Sequence, residues 1–159
     1  MTLSRIRFAT AALAIFAALG VTSAHADRCD ALAKQLTDQI DGVKLGKTVA
    51  GVIYLDHPAV KQASLGCSSR NASNQIYAST DERKPKPEFF DFIAKASALV
   101  FTIPIKDTDR GVKRCYGRIG VVRGYNIVTR YRRLDISCTG TRIGKTGGTT
   151  ITVSRDKSE

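Results

Sequence analysis

Seven arginines between residues 106 and 133 carry the strongest chemical signal in this sequence. Arg110, Arg114 and Arg118 recur every four residues, Arg123 follows, and Arg130, Arg132 and Arg133 complete the set, with Tyr125 and Tyr131 interleaved. A guanidinium presents a planar fork of donors that grips the paired oxygens of a carboxylate or phosphate, and a tyrosine ring adds a stacking surface. Residues 106–133 hold nine Lys/Arg against two Asp, whereas residues 27–105 hold ten Lys/Arg against nine Asp/Glu. Charge gathered in this way attracts anions through its summed field, although the same charge also serves a plain solubilising surface.

The other reactive residues make weaker patterns. Asp56 and His57 are adjacent in a turn, but adjacency does not orient a base, and no nucleophile accompanies them. Asp107 and Asp109 lack the further oxygen donors of a calcium site and suit the start of a helix. Gly144-Lys145-Thr146 resembles the end of a phosphate loop, yet Gly140 stands one residue too close and a strand follows where a helix is needed. Asn71-Ala72-Ser73 is a glycosylation acceptor only in a eukaryotic secretory route. We therefore assign no catalytic residues, no metal site and no cofactor from the sequence.

Cys29, Cys67, Cys115 and Cys138 contain no close pair of the metal-binding or redox kind. An even number of cysteines in an exported chain reads as two disulfides. The pairing Cys29–Cys67 with Cys115–Cys138 closes the smaller loops at lower entropic cost. Export itself is read from the first 26 residues. Arg5 and Arg7 precede the uncharged run Phe8 to Val21, and Ala24-His25-Ala26 offers small residues at a cleavage site. That order is the pattern of a secretory signal, here short and Ala-rich in the bacterial manner. The run is too short for a spanning helix, which needs about 20 apolar residues. Cleavage after Ala26 would leave 133 of the 159 residues, and losing Arg5 and Arg7 would leave 23 basic against 14 acidic residues, a net +9. A chain of that length suits a single domain, residues 27–159.

The elements that must position these groups follow from periodicity. Cys29, Leu32, Ala33, Leu36 and Ile40 mark one face of a helix that stops near Gly42. Thr48 to Leu55 reads as a strand, Asp56-His57-Pro58 as a turn, and Val60 to Ser68 and Gln75 to Ser79 as two more strands. Pro87 opens a second helix through Phe89, Phe92, Ile93, Ala96, Leu99 and Val100, closed by Ile103-Pro104. Asp107 or Thr108 caps a third helix to about Ile119, with Val112, Cys115, Tyr116 and Ile119 on its apolar side. Strands follow at Tyr125 to Tyr131, Arg133 to Cys138 and Thr149 to Ser154, the Gly- and Thr-rich stretch Thr139 to Gly148 being a loop. A helix and three strands recur in each half, with Ala63 to Cys67 matching Leu134 to Cys138 and Gln75 to Ser79 matching Thr150 to Ser154.

The expected fold is α+β: a mostly antiparallel sheet of about five to six short strands, with two to three helices on one face. The expected function is a non-catalytic, disulfide-stabilised binding module, periplasmic or extracellular. Its Arg-rich face would meet an anionic envelope polymer, a lipid head group or an acidic protein, with nucleic acid disfavoured by the compartment. The alternatives are an envelope-directed hydrolase and a self-associating structural component of the envelope.

Overall fold

The computed structural model describes residues 23–69, 73–143 and 146–155. The leader run Phe8 to Val21, the acceptor Asn71 and the Gly144-Lys145 pair lie outside the described residues. The elements run α1 (Ser23–Gln39), β1 (Lys44–Val49), β2 (Val52–Asp56), β3 (Gln62–Gly66), β4 (Gln75–Thr80), α2 (Pro87–Phe101), α3 (Ile105–Tyr116), β5 (Asn126–Tyr131), β6 (Leu134–Ile143) and β7 (Thr146–Arg155). The seven strands form one sheet in the order β1-β2-β3-β4-β7-β6-β5, each pair antiparallel.

Alternation builds the core. Ile53, Leu55, Ala63, Leu65, Ile76, Ala78, Leu134, Ile136, Cys138, Ile151 and Val153 are buried on the face that the helices cover. Their neighbours in sequence form polar rows on the other face, one running Tyr54, Ser64, Tyr77, Thr152, Ser137, Val128 across six strands. The expected stripe of α1 is buried at Cys29, Ala33, Leu36 and Ile40. On α2, Phe89, Phe92, Ile93 and Ala96 are each 1% exposed or less.

The seventh strand arises because the predicted strand Thr48 to Leu55 is broken. Ala50 and Gly51 both take positive φ, 49° and 77°, and Val49 pairs with Val52 across them. This is a two-residue hairpin of the kind whose twist suits antiparallel strands. The β-branched residues on either side concealed it, since they read as one continuous run. The loop expected at Thr139 to Gly148 is likewise mostly ladder. β6 and β7 continue pairing from Thr139↔Thr150 to Ile143↔Thr146. The glycines here permit close approach rather than a turn: a Cβ on Gly148 would lie 2.9 Å from the Thr80 carbonyl oxygen, and one on Gly147 2.9 Å from that of Thr141.

α3 begins earlier and ends earlier than its periodicity implied. Pro104 occupies the N-cap position, and no side chain caps the helix. Thr108 is therefore inside the helix and fully buried, where its hydroxyl lies 2.9 Å from both the Ala94 and Ile105 carbonyls and so ties α3 to α2. Past Tyr116 the chain tightens, with Arg118 N–H bonding the Cys115 carbonyl and Ile119 N–H that of Tyr116.

Both disulfides have the expected pairing. Cys29–Cys67 joins α1 to the residue just past β3, and Cys115–Cys138 joins α3 to β6. The half-repeat is visible as geometry. β2-β3-β4 and β5-β6-β7 are two meanders that meet along β4 and β7, with Tyr77 opposite Thr152 at the seam. The β4 and β7 segments match as the sequence suggested, because Ile76↔Val153 and Ala78↔Ile151 exchange under a two-fold rotation about that pair. The cysteines do not match. Leu65 faces Ile76 while Cys138 faces Ile151, so Cys138 takes the place of Leu65 and the suggested alignment slips by two residues.

Candidate anion-binding face

α3 lies over β5, an edge strand, and β6. The approach is close because residue 111 is glycine: a Cβ there would stand 2.8 Å from Ile136 Cδ1 and 3.0 Å from the Tyr131 ring. Asp107, Arg110 and Arg114 fall at i, i+3 and i+7, so they share one side of α3. On that side Asp107 meets Arg132 (Oδ2 to Nε 3.8 Å). Farther along, Arg118 donates from a terminal guanidinium nitrogen to Thr129 Oγ1 on β5 at 3.4 Å. The flank of α3 above the sheet edge is thus the basic side.

The seven arginines are brought to this edge, but not to one plane. Arg110 and Arg114 are helical and exposed. Arg118, expected on the helix, lies beyond its end and is half-buried. Arg123 is exposed in the loop before β5. Arg130 is on β5, but on the sheet face away from α3, since Thr129 beside it is buried and faces Arg118. Its Nε donates to Asp135 Oδ1 at 3.1 Å. Arg133, expected to begin a strand, forms with Arg132 the turn between β5 and β6, both exposed and both at positive φ. Among the described residues, no carboxylate pairs with Arg110, Arg114, Arg123 or Arg133. The stacking role expected for the tyrosines divides. Tyr131 packs inward against Gly111 and the core, whereas Tyr125 is 37% exposed.

The loop 117–125 holds two residues that the charge pattern did not single out. Gly120 and Gly124 exchange reciprocal backbone hydrogen bonds of 3.0 and 2.8 Å, closing a three-residue tip. Ile119 turns in against Gly140, and Tyr125 O accepts from Gly140 N–H at 2.7 Å. Val121 and Val122 are left pointing out, 85% and 97% exposed, with Arg123 next to them. The signal was present in the sequence: two adjacent β-branched apolar residues between glycines contradict the polar chemistry that turns ordinarily use.

Behind the tip is a cavity of about 250 Å³, lined in part by Arg83, Lys84, Tyr116, Tyr125, Gly140 and Thr149. Tyr116 donates its hydroxyl to the Arg83 carbonyl at 3.0 Å, and burial raises its pKa above the usual phenol value, the nearby Arg83 opposing. A larger groove of about 600 Å³ runs past His57, Lys61, Asp81, Glu82, Lys86 and Phe89. Lys61 and Lys86 are paired there with Asp81 and Glu82. His57 stacks on Phe92 with ring centroids 4.7 Å apart. Its Nδ1 accepts from Ala59 N–H, and its Nε2 bonds the Asp41 carbonyl, each at 3.2 Å, so both ring nitrogens are engaged by backbone rather than by Asp56. Asp109 pairs with Lys113 at 2.8 Å. Among the described residues, no three His, Cys, Asp or Glu side chains converge as a metal site would require.

No family model, curated protein or solved structure matches the chain.

Proposed function

We propose that this chain is an exported, non-catalytic binding module whose α3–β5 edge docks an anionic partner. The observation that carries the reading is the set of Arg110, Arg114, Arg123 and Arg133 on α3 and at the two ends of β5, all exposed and with no paired carboxylate among the described residues. A solubilising surface tends to interleave both signs, and surface pairs of that kind contribute little. Here Asp107, Asp109 and Asp135 are used on Arg132, Lys113 and Arg130, and the four remaining arginines are exposed on the α3 flank and on the segments at either end of β5. Export is supported by the leader pattern in residues 1–26 and by two disulfides, which persist in oxidising compartments. None of the described helices is long and apolar enough to cross a membrane.

Retention on immobilised heparin, a soluble polyanion, tests the proposal. Elution should move to lower salt in the triple variant Arg110→Gln/Arg114→Gln/Arg133→Gln while the thermal transition stays in place. Wild-type retention should itself fall as salt shortens the screening length to about 8 Å at physiological ionic strength. Retention that ignores salt, or that survives the three substitutions, overturns the reading.

A further inference from the structure

We propose that the partner met by this edge is an anionic bilayer surface, and that Val121 and Val122 are the residues that enter it. The inference rests on the arginine-face reading and names the partner class.

Three features of the loop converge on this occupant. First, the tip is held in shape. The reciprocal Gly120–Gly124 bonds and the inward packing of Ile119 mean that Val121 and Val122 protrude from a closed base. Their exposure is the built conformation. Second, the apolar pair is small and outward, although Val121 also borders the cavity behind the tip. At 85% and 97% exposure it presents side chains to a medium that must deform around them. A protein partner offers a matched pocket to such a knob; a lipid head-group layer accepts it without one. Third, the charge around the tip has the sign that anionic lipid attracts. Arg123 is contiguous with Val122, Arg118 precedes the tip, and Arg110 and Arg114 continue the basic flank along α3. Arginine stems can lie along acyl chains while their heads reach phosphate, and tyrosine favours the same boundary, where Tyr125 stands at the base of the loop. Such a tip would hold the protein peripherally, with attraction from the arginines and depth from the valines, each weak without the other.

The chain contains no tryptophan, so Val122→Trp supplies a single reporter at the tip. The protein is taken as an exporting host delivers it and mixed with vesicles of phosphatidylcholine alone or of phosphatidylcholine with phosphatidylglycerol. The Val122→Trp variant should show a blue-shifted emission, quenched by brominated acyl chains, only with the anionic vesicles. Val121→Ser/Val122→Ser should lower co-sedimentation with those vesicles about tenfold, the scale expected for partial burial of two valines, and should leave heparin retention unchanged. Heparin retention by the wild type without vesicle binding overturns this inference and leaves the arginine face standing. Loss of both overturns both. An oligomer in lipid-free solution that the Val121→Ser/Val122→Ser variant dissolves would make the tip a contact between copies of the chain, and would equally overturn it.

Discussion

Arg132 and Arg133 together occupy the two central positions of the β5–β6 hairpin turn, with φ of 53° and 62°. Left-handed backbone at both positions is the geometry that Asn-Gly fills best, and a bulky residue there carries local strain. The Arg132–Asp107 contact is long, at 3.8 Å, and its arginine is exposed, so it offsets little of that strain. Placing charge at this tip therefore works against stability. Arg132→Asn/Arg133→Gly is expected to raise unfolding free energy by about 1 kcal/mol and to weaken heparin retention. Ala50→Asn, in the matching turn of the β1–β2 hairpin, should stabilise without touching retention. Chemical denaturation beside salt elution separates the two effects.

His57 predicts an acid sensitivity with a definite sign. Burial lowers its pKa below 6.5, opposed by the hydrogen bond to the Asp41 carbonyl, with smaller contributions from Lys95 and Asp91 of opposite sign. The folded state therefore prefers the neutral ring, and Nδ1 must stay unprotonated to accept from Ala59 N–H. The stability it contributes is full above 6.5 and is lost as pH falls through 6.5 towards the folded-state value. In His57→Phe, which keeps a ring against Phe92, the urea midpoint should be lower at neutral pH and should decline less steeply between about pH 7 and pH 5. An unchanged slope would remove His57 as the cause.

The two disulfides should be separable by readout. They close loops of 38 and 23 residues, for which the chain-entropy model gives about 3.5–4 kcal/mol each. Cys29→Ala/Cys67→Ala removes the tie between α1 and the end of β3, far from the basic edge, and should lower the thermal midpoint while leaving heparin retention intact at a temperature where the variant is folded. Cys115→Ala/Cys138→Ala releases α3 from β6, so it should lower the midpoint and also shift elution to lower salt.

Gly148→Ala should destabilise by about 1–3 kcal/mol, because the added methyl lands 2.9 Å from the backbone oxygen of Thr80, which cannot swing aside as a side chain can. Gly120→Ala meets nothing within 4 Å and serves as the control. Equal midpoints for the two variants would contradict the close β4–β7 approach.

Periodicity made the α+β layering and the faces of α1 and α2 legible, since burying Leu36 or Phe92 requires the spacing that their elements display. The disulfide pairing followed from loop length. What stayed hidden were the places where backbone, rather than side-chain, chemistry decides. Ala50-Gly51 looked like strand interior because its neighbours are β-branched. The glycines at 147 and 148 looked like a loop because their close approach to Thr80 and Thr141 is a tertiary fact. Thr108 looked like a cap because its buried carbonyl partner, Ala94, lies fourteen residues away on another helix. At the candidate site the arginines were legible as a composition shift. Their division between the α3 flank, the turn and the far sheet face was not, since it depends on where α3 stops and which way β5 alternates.

β7 is the last of the ten described elements in chain order, yet it lies in the interior of the sheet, flanked by β4 and β6. Without Thr146–Arg155, β4 and β6 would each show a bare edge, and strands β1–β4 would share no ladder with the β5–β6 hairpin. One segment therefore ties the two parts of the sheet together, with Thr152 meeting Tyr77 on one side and Ser137 on the other, so cutting or removing it would divide the sheet rather than trim its edge.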